Sequence, residues 1–250
     1  MQDKIKKIMI EGSKVLGIRF SQIHLELFIK YLDILSRWNK KINLTSIRSP
    51  REICIKHFLD SLASLTIINF CMHQESNKKK ETSIIDVGSG AGFPGIPIKI
   101  MLPSIKLTLL EAKRKKTFFL AELVKELDLT GIEIVNNRAE VIGKKEIFRE
   151  AFDISISRAV APLTVLSEYA LPLVKRNGWF IALKGKEYSE ELKRSTFAIE
   201  LLGGKLTKIE KIKLPMLNQE RNIVLINKIK NTPNKYPRGK GHPKKRPLNI

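Results

Sequence analysis

The chain has 250 residues, of which 43% are hydrophobic and 7% aromatic, and its formal net charge is +21 at pH 7. This length buries one sizeable core with a smaller appended region, and the apolar stretches fall far short of a membrane span. Only Cys54 and Cys71 are present, without a close cysteine pair, which excludes a disulfide framework and a zinc site. We expect a cytoplasmic protein with no bound metal, whose positive charge serves a polyanionic partner such as RNA.

The first 75 residues are predicted to form a helical N-terminal region. Apolar side chains recur at helical spacing over residues 21–38, and Ser21 is a suitable N-cap. A second helix is predicted to begin near Pro50, because proline suits the first turn of a helix. The polar run that follows predicts a linker over residues 76–83.

From residue 84 onward, predicted strands and helices alternate with short connections. The strands are 84–88, 106–110, 132–135, 153–157 and 178–183, and the helices between them are 94–102, 113–128, 139–149 and 162–176. A further helix over 188–202 precedes two strands over 205–213 and 221–228. This order predicts an α/β, Rossmann-like domain over residues 84–228, with helices on both faces of a seven-stranded, mostly parallel sheet.

The last segment, residues 229–250, has four prolines, two glycines and few residues that could build a core. From residue 221 to the end of the sequence there are nine basic and no acidic residues. Such a composition predicts a flexible tail. It favours an RNA-gripping arm over a solubilising extension.

A glycine-rich turn follows the first predicted strand of the sheet. Gly88, Gly90 and Gly92 occupy every second position after Asp86, a spacing that fits neither a dinucleotide fingerprint nor a phosphate loop. Glycines let the backbone pass close to a ligand, and with an acid before the turn the favoured ligand is S-adenosyl-L-methionine. Asp86 would contact its amino group or hold the turn, and Phe93 would pack on the ligand or on the next helix.

The second predicted strand ends in Glu111, 23 residues after Gly88. In doubly wound folds an acid at this place accepts hydrogen bonds from the ribose hydroxyls, a role that we favour over that of an acid that stabilises the start of the following helix. Ala112 and Lys113 would then flank the adenine. After the third strand, Ala139 and Glu140 are placed to meet the adenine edge.

The residues after the fourth strand, Arg158 to Pro162, bear on the methyl acceptor. They lack the Asn/Asp-Pro-Pro-aromatic motif of exocyclic-amine methyltransferases, and both cysteines are far from the strand ends, which disfavours carbon methylation. A ring nitrogen such as guanine N7 attacks the methyl group directly and needs positioning without a general base. The alternative is ribose 2′-O methylation by a Lys-Asp-Lys-Glu set with Asp153 and Lys184, but Asp153 begins its strand and should lie at the wrong edge.

Six motifs together resemble the RsmG family, formerly called GidB. They are residues 86–97 (DVGSGAGFPGIP), 38–45 (WNKKINLT), 57–62 (HFLDSL), 157–159 (SRA), 182–185 (ALKG) and 235–238 (KYPR). The resemblance implies a class I methyltransferase that transfers a methyl group from S-adenosyl-L-methionine to N7 of a specific guanine in 16S ribosomal RNA. It implies the small ribosomal subunit or its precursor as partner, a monomer, and no DNA or membrane partner.

The resemblance also implies roles for individual residues. Gly88, Phe93, Ala139, Glu140 and Arg158 would bind the methyl donor, and Glu111 matches the family's ribose acid. The residues implied near RNA are Asn43, His57, Lys184 and Arg221, with Arg238 from the basic tail. Arg158 and Lys184 would position the substrates, and no residue is expected to act as acid or base. A 2′-O methyltransferase and a non-catalytic RNA-binding assembly factor remain the alternatives.

Overall fold

The computed structural model describes residues 2–74, 81–185, 188–217 and 219–248. Its helices are α1 (Gln2–Val15), α2 (Gln22–Asn39), α3 (Pro50–Ile53), α4 (Asp60–Leu62), α5 (Leu65–His73), α6 (Gly95–Met101), α7 (Arg114–Glu126), α8 (Ala139–Ile142), α9 (Leu163–Ala170), α10 (Ser189–Leu201) and α11 (His242–Lys245). Its strands are β1 (Ser83–Val87), β2 (Lys106–Glu111), β3 (Ile132–Asn136), β4 (Phe152–Arg158), β5 (Val174–Lys184), β6 (Gly204–Lys213) and β7 (Glu220–Lys228). Residues 76–80 of the predicted linker lie outside the described residues.

The strands form one seven-stranded sheet in the order β3-β2-β1-β4-β5-β7-β6. Strands β1 to β5 run parallel, whereas β7 is antiparallel to both β5 and β6. The predicted α/β, mostly parallel fold is therefore confirmed. The strand order reverses between β1 and β4, and in open sheets ligands bind beyond the carboxyl ends of the strands at such a point.

Several helices differ from their predicted extents. The helix predicted over 139–149 ends at Ile142, because Gly143 and a run of turns follow it. The helix predicted over 162–176 ends at Ala170, since a 3₁₀ turn with Pro172 at its centre follows over Leu171–Leu173 and β5 begins at Val174. Helix α1, which was not predicted, buries Ile5 and Met9 against the rest of the N-terminal region.

One apolar core joins the N-terminal helices to the sheet. Tyr31, Phe58 and Phe93 are buried in the same cluster as Ile156 of β4, and the Tyr31 ring stacks on Phe93 with centroids 5.3 Å apart. A π-helical segment, Cys54–Leu59, links α3 to α4 and carries Phe58 into this core. The N-terminal helices are thus packed directly over the glycine turn.

The stretch from α3 to α5 is longer and more apolar than the sequence analysis predicted. Residues 50–73 form a 24-residue helical run that contains an 18-residue window of mean hydropathy 1.3, and by length and composition it could cross a membrane. Its most apolar window is 72% buried inside the protein. The run therefore serves as a core helix of this fold, and its hydropathy reflects packing against the sheet.

The C-terminal segment differs from the predicted flexible tail. Thr232, Tyr236 and Leu248 are buried, and Arg238 pairs with the fully buried Glu168 of α9. A lone buried carboxylate is costly, so this pairing holds the segment in place. Composition alone suggests disorder because the few apolar residues of the segment, and the arginine that pairs with Glu168, are spread among exposed charges. We call residues 230–248 the C-terminal strap.

Candidate active site at the carboxyl edge of the sheet

A cavity of about 390 Å³ opens beyond the carboxyl ends of β1, β2 and β3, a volume typical of small-molecule sites. Its lining residues are Val87, Gly88, Gly90, Leu110, Glu111, Ala112, Lys113, Lys116, Asn137, Arg138, Ala139, Glu140, Ala159, Val160 and Tyr169. Most of the residues predicted to bind a cofactor are among them. Asp86, Phe93 and Arg158 lie outside this lining.

The glycine turn forms the floor of the cavity. The backbone N–H of Gly88 donates to the Leu110 carbonyl at 2.8 Å, and both Gly88 and Gly90 have positive φ angles, 79° and 59°. A Cβ on Gly88 would lie 2.6 Å from a methyl group of Val160. Glycine is therefore required here by conformation and by the close approach of the 158–162 loop.

Glu111 lies on one wall of the cavity and is held by backbone hydrogen bonds. Its Oε2 accepts from the N–H of Gly90 at 3.0 Å and its Oε1 from the N–H of Lys113 at 2.7 Å. The residue is only 7% exposed. Each carboxylate oxygen keeps further acceptor capacity, so Glu111 presents fixed acceptors to a ligand while it joins the glycine turn to the start of α7.

Asp86 lies beneath the turn, fully buried in β1. Its Oδ2 accepts from the N–H of Gly95 at 2.9 Å, whereas Oδ1 has no hydrogen-bond partner among the described residues. Burial raises the pKa of this carboxyl to about 7, although the Gly95 hydrogen bond and Arg158 lower it. The structure thus places Asp86 where it holds the turn and leaves one buried oxygen for a further donor.

Glu140 and Ala139 form the wall opposite the glycine turn, at the start of α8. Glu140 is 3% exposed, and its Oε1 accepts from the N–H of Gly241 at 3.0 Å and from Arg138 at 3.3 Å. The carboxylate is thus held by the C-terminal strap. Tyr169 of α9 completes this wall, and burial raises the pKa of its hydroxyl.

Arg158, at the end of β4, points away from the cavity and into the N-terminal helices. Its Nη1 donates to Asp60 Oδ2 and to the Lys56 carbonyl, each at 2.8 Å. Its guanidinium also lies 5.2 Å from the centre of the Phe93 ring. Phe93 therefore packs between Arg158 and the aromatic core instead of lining the cavity.

His57 is bonded on both ring nitrogens and stacks on Phe93 at 4.7 Å. Arg158 Nη2 lies 3.1 Å from its Nδ1, and Thr45 Oγ1 lies 2.7 Å from its Nε2. The Lys56 carbonyl, which only accepts, lies at the same 3.1 Å from Nδ1 as the Arg158 guanidinium, which only donates, so these contacts are compatible with either tautomer. Burial, then the nearby Arg158, lowers the pKa of His57 to about 3, so the ring is neutral.

Asp60 belongs to the network around Arg158 and was not predicted from the sequence. This buried carboxylate of α4 accepts from Arg158 and, through Oδ1, from Arg221 Nε of β7 at 3.0 Å. Its place three residues after His57 within the motif of residues 57–62 was the available signal. The lining residues Lys116, Asn137, Arg138, Ala159, Val160 and Tyr169 were also missed, since the loops and the helices α7 and α9 that carry them have no distinctive composition.

The remaining predicted RNA-facing residues are separated in the structure. Asn43 is exposed in the 40–48 loop. Lys184 donates to the Ala161 carbonyl at 2.9 Å and to Glu191 at 2.5 Å, which anchors the loop after β4. Arg238 is bound to Glu168; its contact with RNA stays a prediction.

Asp153 occupies the opposite edge of the sheet, as its position in the strand predicts. Its carboxylate accepts from the backbone N–H and the hydroxyl of Ser83, which begins β1, each at 2.6 Å. It also pairs with Lys175. No group of three or more metal-ligating side chains occurs among the residues that the structure describes.

The cavity fits S-adenosyl-L-methionine in its chemistry. Glu111 offers carboxylate oxygens where vicinal hydroxyls would bind, and Asp86, beneath the glycine turn and outside the lining, keeps its buried Oδ1 without a hydrogen-bond partner among the described residues. The close backbone approach at Gly88 leaves no room for a side chain. These three features suit a ligand that carries both a ribose and an amino acid group.

Known proteins match nearly the whole chain. A family model described as rRNA small subunit methyltransferase G matches residues 24–224. Ribosomal RNA small subunit methyltransferase G of a Thermoanaerobacter species is 46% identical over 95% of this chain and 96% of the relative. The protein of that name from Acetivibrio thermocellus is 45% identical over 98% of this chain and 97% of the relative.

A solved structure of an MtNAS mutant has a TM-score of 0.54 at 13% identity, covering 91% of this chain and 87% of that one. A likeness at this level of identity bears on the fold alone. The family match, by contrast, includes the glycine turn, Glu111 and Arg158. The chain therefore belongs to the rRNA small subunit methyltransferase G family.

Proposed function

We propose that this protein transfers the methyl group of S-adenosyl-L-methionine to N7 of a guanine in 16S ribosomal RNA, in the cytoplasm. Methylation of small-subunit ribosomal RNA follows from the family. The observation that carries the cofactor assignment is the cavity at the strand-order reversal, with Glu111 fixed beside the glycine turn. The product of the donor would be S-adenosyl-L-homocysteine.

The proposed cofactor contacts divide along the cavity. Glu111 would accept from the ribose hydroxyls, and Ala112 and Lys113 would flank the adenine together with Ala139 and Glu140. Gly88 and Gly90 would bring backbone against the methionine portion. Asp86 would serve its amino group through Oδ1, which has no other partner in the described part of the chain. When bound, the donor supplies an electrophilic methyl group on its sulfonium.

The choice of a ring nitrogen rests on what the lining offers. Glu111 and Glu140, the carboxylates of the lining, both accept hydrogen bonds from backbone N–H groups. In this proposal Glu111 serves the ribose and Glu140 the adenine of the donor, so neither is placed as a base for the methyl acceptor. Cys54 and Cys71 are buried in the N-terminal helices and cannot act as nucleophiles. Methylation of guanine N7 requires neither a general base nor a nucleophilic side chain, because its lone pair is already available for attack.

Arg158 and Lys184 would act by positioning. Arg158 fixes the start of the 158–162 loop through Asp60, and Lys184 holds the Ala161 carbonyl of the same loop. Ala159 and Val160, between these two anchors, line the cavity. The loop would thus shape the path between donor and acceptor, with Asn43, His57 and Arg221 on the N-terminal side of it.

Analysis of the methylated nucleoside tests the proposal. Small subunits lacking the modification would be incubated with the protein and labelled donor, digested, and analysed by mass spectrometry. The expected product is 7-methylguanosine. A 2′-O-methylnucleoside would select the alternative chemistry, and no methylation with intact RNA binding would select an assembly factor. Asp153→Asn is the matched control, because only the 2′-O mechanism would need that carboxylate at the active site.

A further inference from the structure

The C-terminal strap lies behind the cavity and joins two of the helices that form its wall. We propose that Arg238 is a positioning residue for the cofactor site, acting through Glu168 and through the strap's hydrogen bond to Glu140. This inference rests on the proposed function, because it takes Glu140 to be a cofactor contact. The inference assigns the strap a role in binding the methyl donor, whereas the composition of the segment predicts an RNA-gripping arm.

Arg238 fastens the strap to α9. Its backbone N–H and Nε donate to Glu168 Oε1 at 2.7 and 2.9 Å, and Nη2 donates to Oε2 at 2.6 Å. Glu168 has no exposed surface, so its charge depends on this bidentate partner. The hydrogen bonds to Glu168 raise the pKa of Arg238. The next residue of α9, Tyr169, lines the cavity.

The strap also reaches α8. Three residues beyond Arg238, the Gly241 N–H donates to Glu140 Oε1 at 3.0 Å. Gly241 has a φ of 79°, a conformation that aims this N–H inward and that glycine adopts without strain. Because Glu140 is 3% exposed and lines the cavity, the hydrogen bond fixes the orientation of a wall carboxylate.

A third set of contacts clamps the end of α8 to the strap. A Cβ on Gly143 would lie 3.0 Å from the ring of Pro237, so the proline ring packs closely against the backbone of Gly143. Arg149 donates to the Gly143 carbonyl at 3.0 Å and to the Tyr236 carbonyl at 2.8 Å. The strap therefore bridges α8 and α9, and loss of Arg238 would release the wall of the cavity that bears Glu140 and Tyr169.

Calorimetric titration of the full-length chain with S-adenosyl-L-homocysteine tests this inference. Arg238→Met is expected to raise the Kd about fivefold or more, while Arg238→Lys, which keeps the charge but not the fork, gives an intermediate Kd. Lys240→Ala is the matched control: it removes an exposed basic residue of the same segment. It should leave the Kd unchanged.

The outcomes separate the strap from an RNA arm and from the proposed function. If Arg238→Met folds by circular dichroism and binds the ligand like the wild type, the inference is wrong. It is also wrong if Arg238→Met and Lys240→Ala weaken binding of a 16S RNA fragment equally and spare the ligand. Should Arg238→Met fail to fold, Glu168→Gln/Arg238→Met removes both charges and must show the raised Kd. A wild-type chain that binds no ligand would overturn the proposed function itself.

Discussion

Replacement of Glu111 by glutamine tests the cofactor site at the residue with the most defined geometry. The substitution keeps the side-chain volume but removes the charge and turns one of the two acceptor oxygens into a donor. The N–H groups of Gly90 and Lys113 each use one oxygen of this side chain. A glutamine can serve only one of them, and it offers the ribose hydroxyls one acceptor oxygen in place of two.

The size of the effect follows from these lost acceptors. An unpaired buried donor costs about 1–3 kcal/mol, which corresponds to about a 5- to 150-fold rise in the Kd for S-adenosyl-L-methionine. Calorimetry at fixed pH and salt would measure this Kd, and Glu111→Ala should bind S-adenosyl-L-methionine at least as weakly as Glu111→Gln. Glu122→Gln, which changes an exposed acid of α7, the helix after Glu111, controls for the change in net charge. Unchanged affinity in Glu111→Gln would remove this carboxylate from the donor site.

Two further predictions concern the turn itself. Burial raises the pKa of Asp86 from 3.8 to about 7. The stability that this raised pKa contributes is fully present below pH about 4 and is lost as the pH rises through about 7, by up to about 4 kcal/mol. Asp86→Asn should therefore gain stability relative to the wild type between pH 5 and 8 in urea unfolding; a pH-independent difference would contradict this. Gly92→Ala places a Cβ at a φ of 90° and 2.6 Å from Tyr31 Oη, whereas Gly17→Ala, at a φ of 69°, meets no atom within 4 Å. Backbone strain should destabilise both variants by about 1–2 kcal/mol, and the contact with Tyr31 should add a further loss in Gly92→Ala alone. Equal losses of stability in the two variants would contradict this reasoning.

The local parts of the fold could be predicted from sequence. The strands, the glycine turn and Glu111 are encoded in short runs of residues, because strand period and turn glycines are properties of neighbours in the chain. The chain order of strands and helices also predicted the parallel sheet. Asp153 at the far edge followed from its position at the start of a strand.

The network around Arg158 could not be predicted in the same way. Arg158 joins Asp60 across 98 residues of sequence, and Arg221 joins Asp60 across 161. Sequence patterns place each of these residues on an element but do not say which charges meet. The ordered structure of the strap could not be predicted for a related reason. In the sequence, Glu168 resembles an exposed helix acid until the arginine that neutralises it is identified.

Asp60 has a consequence for any attempt to divide this protein. Its carboxylate comes from the N-terminal helices, while Arg158 ends β4 and Arg221 lies at the start of β7. Deleting the first 75 residues would leave two guanidinium groups facing each other above bare apolar surface. The sheet is thus not a minimal catalytic unit, and chimeras that exchange N-terminal regions to change RNA recognition must retain this acid.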